Sequence, residues 1–264
     1  MVKGVTLITI FLTLWWISIH PFSQDSNLIH RKYIWGAFYQ LIALWGGVSG
    51  LRIANVFGGI KSIFGKSVSF FSYGLLLQCF GQSVYSYYNL FSQIQAPYPS
   101  LGDVGYFGSV ICYIIAVIYL GKAVGVKISL KSSINKIQTI IIPLSMLSVS
   151  YFIFLKDYVV DYSRILKLIL DFGYPLGQAF YVSIAILTLS LSRIKLGGFM
   201  KKPILFLLIS LIVQYLSDFN FLYNANQNTW YVGGLGDFFY MVSYLLMTIS
   251  IMQIGFSLNK IRRS

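Results

Sequence analysis

The chain has 264 residues, of which 57% are hydrophobic and only 10% are charged. A soluble domain of this length could not bury so much apolar surface around one core, so the composition predicts an all-α, multi-pass membrane protein. Basic loops that face anionic lipids on the cytoplasmic side of the cell (plasma) membrane explain the net charge of +13, and we expect no nucleic-acid partner.

Eight apolar runs are separated by polar loops. Each run is near the ~20 residues that a helix needs to cross the hydrocarbon core of a bilayer. We predict a transmembrane bundle of about eight helices, within one domain of residues 1–264, at about 4–19, 33–51, 67–91, 103–121, 137–155, 169–192, 203–223 and 236–258.

The first run has one feature of a signal peptide, the basic residue Lys3 before it. However, Trp15, Trp16 and the pair His20-Pro21 stand where a cleavage site would need small residues. We therefore predict a retained transmembrane helix rather than a cleaved leader.

Charged residues divide between the two sides of the predicted bundle. Fifteen of the 20 lysines and arginines fall on one side: Lys3, Arg52, Lys61, Lys66, Lys122, Lys127, Lys131, Lys136, Arg193, Lys195, Lys201, Lys202, Lys260, Arg262 and Arg263. This side is the cytoplasmic one by the positive-inside rule, so both termini are predicted inside the cell. The chain has no glutamate, and its seven aspartates all fall in the outer loops or the outward ends of helices.

A four-residue motif, which we call the phrase, occurs three times, each time near the start of an apolar run. It reads Asp103-Val104-Gly105-Tyr106, Asp171-Phe172-Gly173-Tyr174 and Asp237-Phe238-Phe239-Tyr240, with aspartates 68 and 66 positions apart. Such an interval equals two membrane-crossing helices with their loops. We interpret the chain as four hairpin repeats of ~67 residues, the first degenerate, related by an axis along the membrane normal.

The repeated aspartates have a structural and a functional interpretation. Asp103 and Asp237 each open a helix, where free backbone N–H groups favour a carboxylate, so both are candidate caps as well as candidate ligand contacts. Asp171 is a poorer cap, because Pro175 follows within about a turn and the apolar run begins before it. We predict a local break in the sixth helix there.

Asp218 stands outside the phrase. It lies five residues before Tyr223 at the outward end of the seventh helix, which places it ~8 Å below that end. A carboxylate at this depth is expensive unless a polar cavity or a partner receives it. Bonds to tyrosine hydroxyls or to a glutamine, and contact with a ligand or ion, are the two alternatives.

Further polar residues are placed to line a cavity. We predict an outward-facing pocket rich in aspartate and tyrosine between helices 3, 4, 6, 7 and 8. The candidate ligand-binding residues are Asp218, Asp171, Gln214, Gln178, Gln82, Gln78, Tyr215, Tyr174, Asp103 and Asp237. The alternative for the outermost tyrosines is an interfacial belt.

No reaction is predicted. Gly234-Leu235-Gly236-Asp237 matches the GxGD string of intramembrane aspartyl proteases, but Leu170 and Ser217 stand before Asp171 and Asp218 where those enzymes have tyrosine. No lysine is placed for a retinal Schiff base. The two histidines lie in one loop and cannot supply a metal site without glutamate. We therefore expect no catalytic residue, metal or cofactor, and leave open whether Cys79 and Cys112 pair.

One stretch resembles a known class of membrane region. The segment 97–106, Pro-Tyr-Pro-Ser-Leu-Gly-Asp-Val-Gly-Tyr, and its echo at Asp171 are similar to the multi-pass N-terminal membrane sensory regions of bacterial diguanylate cyclases and histidine kinases. In those regions Pro-Ser-x-x-Asp strings open successive helices. The resemblance covers helices 3 to 8 and implies a membrane sensory or ligand-binding module, without the cyclase or kinase domain.

Two classes of function compete. The first is a non-enzymatic sensor or binding module that recognises a small cationic or hydroxyl-rich molecule in its outer pocket. The second is a small transporter, which would need a polar path to the inner face, and a scaffold for a membrane-protein partner is a further alternative.

Overall fold

The computed structural model describes residues 2–19, 26–92, 97–125, 133–156, 158–192, 200–227 and 229–263. These ranges contain eight α-helices and no strand. The helices are α1 Val2–Ser18, α2 Ser26–Val56, α3 Ile63–Tyr87, α4 Leu101–Ala123, α5 Ser133–Ser150, α6 Ile165–Ser192, α7 Lys201–Asn226 and α8 Leu235–Arg263. The predicted all-helical fold is confirmed.

Seven of the eight helices, α2 to α8, are long and apolar enough to cross a membrane, and α1 is a shorter apolar helix of 17 residues. The chain therefore has the architecture of a multi-pass membrane protein. Several helices extend past the predicted apolar runs, and α2 begins at Ser26 instead of residue 33. The apolar run marks the part that suits hydrocarbon, whereas helical hydrogen bonding continues into the polar flanks.

Six helices form a closed ring. Going round it, α2 packs on α3, α3 on α4, α4 on α6, α6 on α7, α7 on α8, and α8 on α2. Helix α1 lies outside the ring against α2 and α8, and α5 lies outside against α6.

Glycine lets α3 and α4 approach closely. A Cβ atom added to Gly105 of α4 would lie 2.5 Å from the Leu77 carbonyl oxygen and 2.6 Å from the Gly81 nitrogen, both backbone atoms of α3. Small residues at crossings are how helices associate in a bilayer, where apolar side chains gain little by leaving lipid.

The predicted break in the sixth helix is wrong. Helix α6 is continuous from Ile165 to Ser192 and carries Pro175 in its interior. Proline removes one backbone hydrogen bond, and packing against neighbouring helices keeps such a helix intact in membrane proteins.

Helix α1 is anchored to the bundle by two tryptophans. The indole N–H of Trp35 in α2 donates to the Leu12 carbonyl of α1 at 2.9 Å, and the indole N–H of Trp16 donates to the Gly233 carbonyl at 2.9 Å. Val5 and Leu12 are buried beneath them. The first helix is thus an integral part of the packing.

Candidate functional site

Four aspartates gather at one end of the ring, the end at which α4, α6 and α8 begin, and we call this the aspartate end. They are Asp103, Asp171, Asp218 and Asp237. Each accepts hydrogen bonds from one or two tyrosine hydroxyls. Within the described ranges none of the four forms an ion pair with a lysine or arginine. Tyrosine hydroxyls are therefore the hydrogen-bond donors that all four carboxylates share.

Asp103 combines a cap with a contact between helices. It is the third residue of α4, and its Oδ2 accepts from the Ser100 backbone N–H at 2.7 Å, which completes a capping box. Its Oδ1 accepts from the Tyr174 hydroxyl of α6 at 2.8 Å. The predicted cap is confirmed, and the second oxygen ties α4 to α6.

Asp237 repeats this arrangement in α8. Its Oδ2 accepts from the Gly233 backbone N–H at 2.7 Å, and its Oδ1 accepts from the Tyr39 hydroxyl of α2 at 3.2 Å. The two aspartates are 134 positions apart and the two tyrosines 135. The same pair of contacts thus joins α4 to α6 and α8 to α2, on two sides of the ring.

Asp171 does not open a helix, because it is the seventh residue of α6. Its Oδ1 accepts from the Tyr98 hydroxyl at 2.7 Å and its Oδ2 from the Tyr158 hydroxyl at 2.5 Å. Both tyrosines belong to the loops before α4 and α6. The bond to Asp171, followed by burial, raises the pKa of Tyr158 to about 12, since ionising the phenol would place two negative charges together. Burial and the same carboxylate raise the pKa of Tyr98 above its ordinary value.

Asp218 is the deepest of the four, with 5% of its surface exposed. Its Oδ2 accepts from the Tyr181 hydroxyl of α6 at 2.7 Å, and its Oδ1 accepts from the Tyr240 hydroxyl of α8 at 2.7 Å and from Gln214 Nε2 at 3.3 Å. These tyrosine and glutamine bonds are the ones that the structural alternative predicts. Groups from three helices thus meet at one carboxylate.

Two buried glutamines each bond a serine of the next helix in the ring. Gln214 Oε1 accepts from the Ser243 hydroxyl at 2.9 Å, and Gln78 Nε2 donates to the Ser109 hydroxyl at 2.7 Å. Gln78 Oε1 also accepts from Tyr244 of α8 at 2.8 Å. Both glutamines are buried, so the predicted amides do reach the interior.

Gln82 occupies in α3 a place like that of Asp218 in α7. Its Oε1 accepts from the Tyr106 hydroxyl of the following helix at 2.7 Å, as Asp218 accepts from Tyr240. Its Nε2 donates to the Gly36 carbonyl of α2 at 3.0 Å. Tyr106 and Tyr240 each stand three residues after a capping aspartate, so the two contacts correspond.

Two predicted site residues lie apart from these bonds. Tyr215 packs on Phe219 with its hydroxyl beside Ser150, and neither hydroxyl has a hydrogen-bond partner among the described residues. Gln178 is buried in α6 and joins none of the bonds given above. Sequence position alone could not separate these residues from the ones that meet.

Four fully buried tyrosines of the ring helices were not among the predicted site residues: Tyr39, Tyr113, Tyr181 and Tyr244. All have 0 or 1% of their surface exposed. The sequence contained a signal for two of them. Tyr113 follows Tyr106, and Tyr181 follows Tyr174, by seven residues, which is two helical turns and therefore the same face. Tyr244 follows Tyr240 by one turn.

One cavity lies away from these residues. It has a volume of about 690 Å³ and lies between α4, α5 and α6, with the lining residues Ile114, Leu147, Ser148, Tyr151, Phe152, Leu176, Gly177 and Phe180. None of these residues belongs to the predicted outward pocket. The ligand-binding role of the aspartate end stays a prediction.

Metal and disulfide chemistry have little support in the described ranges. There, no three histidine, cysteine, aspartate or glutamate side chains gather as a metal site would require. Cys79 and Cys112 are both free thiols, which answers the question of their pairing. His20 lies outside the described residues.

Comparisons with known proteins give no relative: no protein-family model, curated protein or solved structure matches this chain.

Proposed function

We propose that the protein is a non-enzymatic membrane sensor or binding module whose aspartate end recognises a small cationic or hydroxyl-rich molecule. The observation that carries this proposal is Asp218, a buried carboxylate inside a membrane-spanning ring that forms no ion pair within the described residues. A carboxylate is expensive at such depth, and membrane proteins place one there mainly for a partner or a transported species.

The entrance to the site is formed by the loops that carry Tyr98 and Tyr158. Both hydroxyls converge on Asp171, and Tyr98 and its bond lie at the surface. A cation that approached the ring from this end would meet Asp171 first and Asp218 deeper inside. We propose that this end faces outward, which agrees with the basic residues at the opposite helix ends, including Lys66 and Lys122.

A ligand panel tests the proposal. Thermal unfolding of the purified protein is measured in detergent with amines, polyamines, sugars and polyols, for the wild type and for Asp218→Asn. A specific ligand is expected to raise the unfolding temperature of the wild type and to lose its effect in Asp218→Asn. Asp161→Asn, which alters an exposed aspartate with no role at the ring, is the matched control. No stabilising ligand, or an equal response of Asp218→Asn, contradicts the proposal.

The sequence resemblance to membrane sensory regions of diguanylate cyclases and histidine kinases supports the same class of function. In such a module, ligand binding would be passed to a membrane-protein partner. The basic helix ends would face anionic lipids, and Lys66 and Lys122 already share one aromatic surface, with Nζ atoms 5.2 and 5.0 Å from the Tyr119 ring centre.

Transport is the second candidate. Polar side chains continue beyond Asp218 through Gln214, Ser243 and Gln78, and Thr248 still donates to the Ile42 carbonyl at 3.2 Å. Each of these groups is hydrogen-bonded to a neighbouring helix, and a path would require those bonds to break. Uptake of a stabilising ligand into proteoliposomes would place transport first. A scaffold, the third candidate, predicts a co-purifying membrane protein and no response to small molecules.

A further inference from the structure

Gln82 and Asp218 can be compared directly, because each accepts a hydrogen bond from the tyrosine that follows a capping aspartate by three residues. Tyr106 donates to the neutral amide of Gln82, and Tyr240 donates to the carboxylate of Asp218. The amide satisfies its tyrosine and also bonds the Gly36 carbonyl of α2. Holding one tyrosine at this place therefore needs no charge. Asp218 differs from Gln82 because its second oxygen also accepts from Tyr181, and its carboxylate forms no ion pair within the described residues.

Tyr113 adds a second, independent observation. Its side chain is completely buried against Phe71 of α3 and Tyr181 of α6, and its hydroxyl has no hydrogen-bond partner among the described residues. The ring of Tyr113 lies 6.0 Å from that of Tyr181, whose hydroxyl donates to Asp218. An unpaired buried hydroxyl is costly, so a ligand bound at Asp218 that also contacted this oxygen would relieve that cost.

We propose that Asp218 binds one dehydrated alkali-metal cation, with phenol oxygens of Tyr113, Tyr181 and Tyr240 as further ligands. This inference rests on the proposed binding role of Asp218 and names an inorganic cation as its innermost ligand. A single carboxylate balances a single positive charge, and hard cations prefer oxygen ligands. The hydroxyls of Tyr181 and Tyr240 continue to donate hydrogen bonds to Asp218, and the lone pairs of their oxygens bind the cation.

Cation titrations test the inference without any organic ligand. Thermal unfolding in detergent is measured as LiCl, NaCl or KCl replaces N-methyl-D-glucamine chloride at constant ionic strength, so that general screening stays the same. At least one alkali cation is expected to raise the unfolding temperature with saturation. Equal unfolding temperatures in all four salts would overturn the inference.

Two variants locate the effect. Asp218→Asn is expected to weaken the apparent affinity for the cation at least ~10-fold, whereas Asp161→Asn leaves it unchanged. Tyr113→Phe removes only the unpaired hydroxyl, so without the cation this variant is expected to unfold at or above the wild-type temperature. The cation is expected to raise its unfolding temperature less than it raises that of the wild type. If Tyr113→Phe responds to the cation as the wild type does, Tyr113 is not a ligand and the proposed site is wrong. Tyr113→Phe also keeps the test decisive if Asp218→Asn does not fold.

The outcomes separate this inference from the proposed function. Stabilisation by an alkali cation with no response to the organic panel supports the cation site and contradicts the small-molecule sensor. A response to the organic panel without any cation effect supports the small-molecule sensor and contradicts the cation site.

Discussion

The hydroxyl of Tyr174 in α6 donates a hydrogen bond of 2.8 Å to Oδ1 of Asp103 in α4. Its counterpart joins Tyr39 in α2 to Asp237 in α8 at 3.2 Å. These two contacts link helices that are distant in the chain, so they hold the ring of six helices closed at the aspartate end.

Removing either ring-closing hydroxyl is expected to destabilise the protein. Tyr174→Phe and Tyr39→Phe should each lower the free energy of unfolding by ~1–2 kcal/mol, because each deletes one interhelical bond to a carboxylate. The double variant should lose about the sum, since the two contacts share no residue. Unfolding in detergent measures both. A double variant that loses no more than one single variant would show that the contacts act as one unit.

A methyl group on Gly105 should separate α3 from α4. Gly105→Ala is expected to cost ~1–3 kcal/mol of unfolding free energy, because its Cβ would meet backbone atoms of α3 that cannot rotate away. Gly108→Ala, one turn later, is the matched control, since its nearest neighbour is a Leu77 side-chain atom at 3.3 Å. Equal thermal stabilities for the two variants would contradict the close crossing.

The anchor of α1 predicts a difference between two tryptophans of α2. Trp35→Phe should lower the free energy of unfolding by ~2–4 kcal/mol, because Trp35 is fully buried and its indole holds the Leu12 carbonyl. Trp45→Phe changes a residue that is 38% exposed and should have a much smaller effect. Thermal unfolding of the two variants checks this order, and the reverse order would show that α1 is not held by Trp35.

Tyr158 gives a pH-dependent signal of the Asp171 contact. Its pKa of about 12 should be visible in the tyrosinate absorbance of the wild type as a component missing from Tyr158→Phe. Because the folded-state pKa is raised, the stability from this contact is fully present below the ordinary tyrosine pKa of 10.0 and is lost as pH rises toward 12. Asp171→Asn should return the pKa toward its ordinary value. An unchanged Tyr158 titration in that variant would mean that another group raises it.

The sequence alone determined the membrane architecture. Eight apolar runs predicted eight helices. In hydrocarbon every backbone N–H and C=O group must be hydrogen-bonded within the protein, and a helix achieves this within a single segment. Asp103 was similarly predicted as a cap, since free backbone N–H groups at a helix start favour a carboxylate, whereas the capping box that it forms with Ser100 was seen only in the structure. Periodicity could not show that Pro175 would be tolerated inside α6, because that depends on packing by neighbouring helices.

Only the tertiary structure decided which polar residues meet. Asp218, Tyr181 and Tyr240 come from three different helices, and their contact depends on the order of helices around the ring and on the rotation of each. Tyr215 is three residues from Asp218, about one helical turn away, and yet lies outside the hydrogen-bond network, because its hydroxyl lies beside Ser150 and not beside the carboxylate. Composition and spacing specify which segments enter the membrane, whereas the close packing of those segments specifies which side chains share the interior.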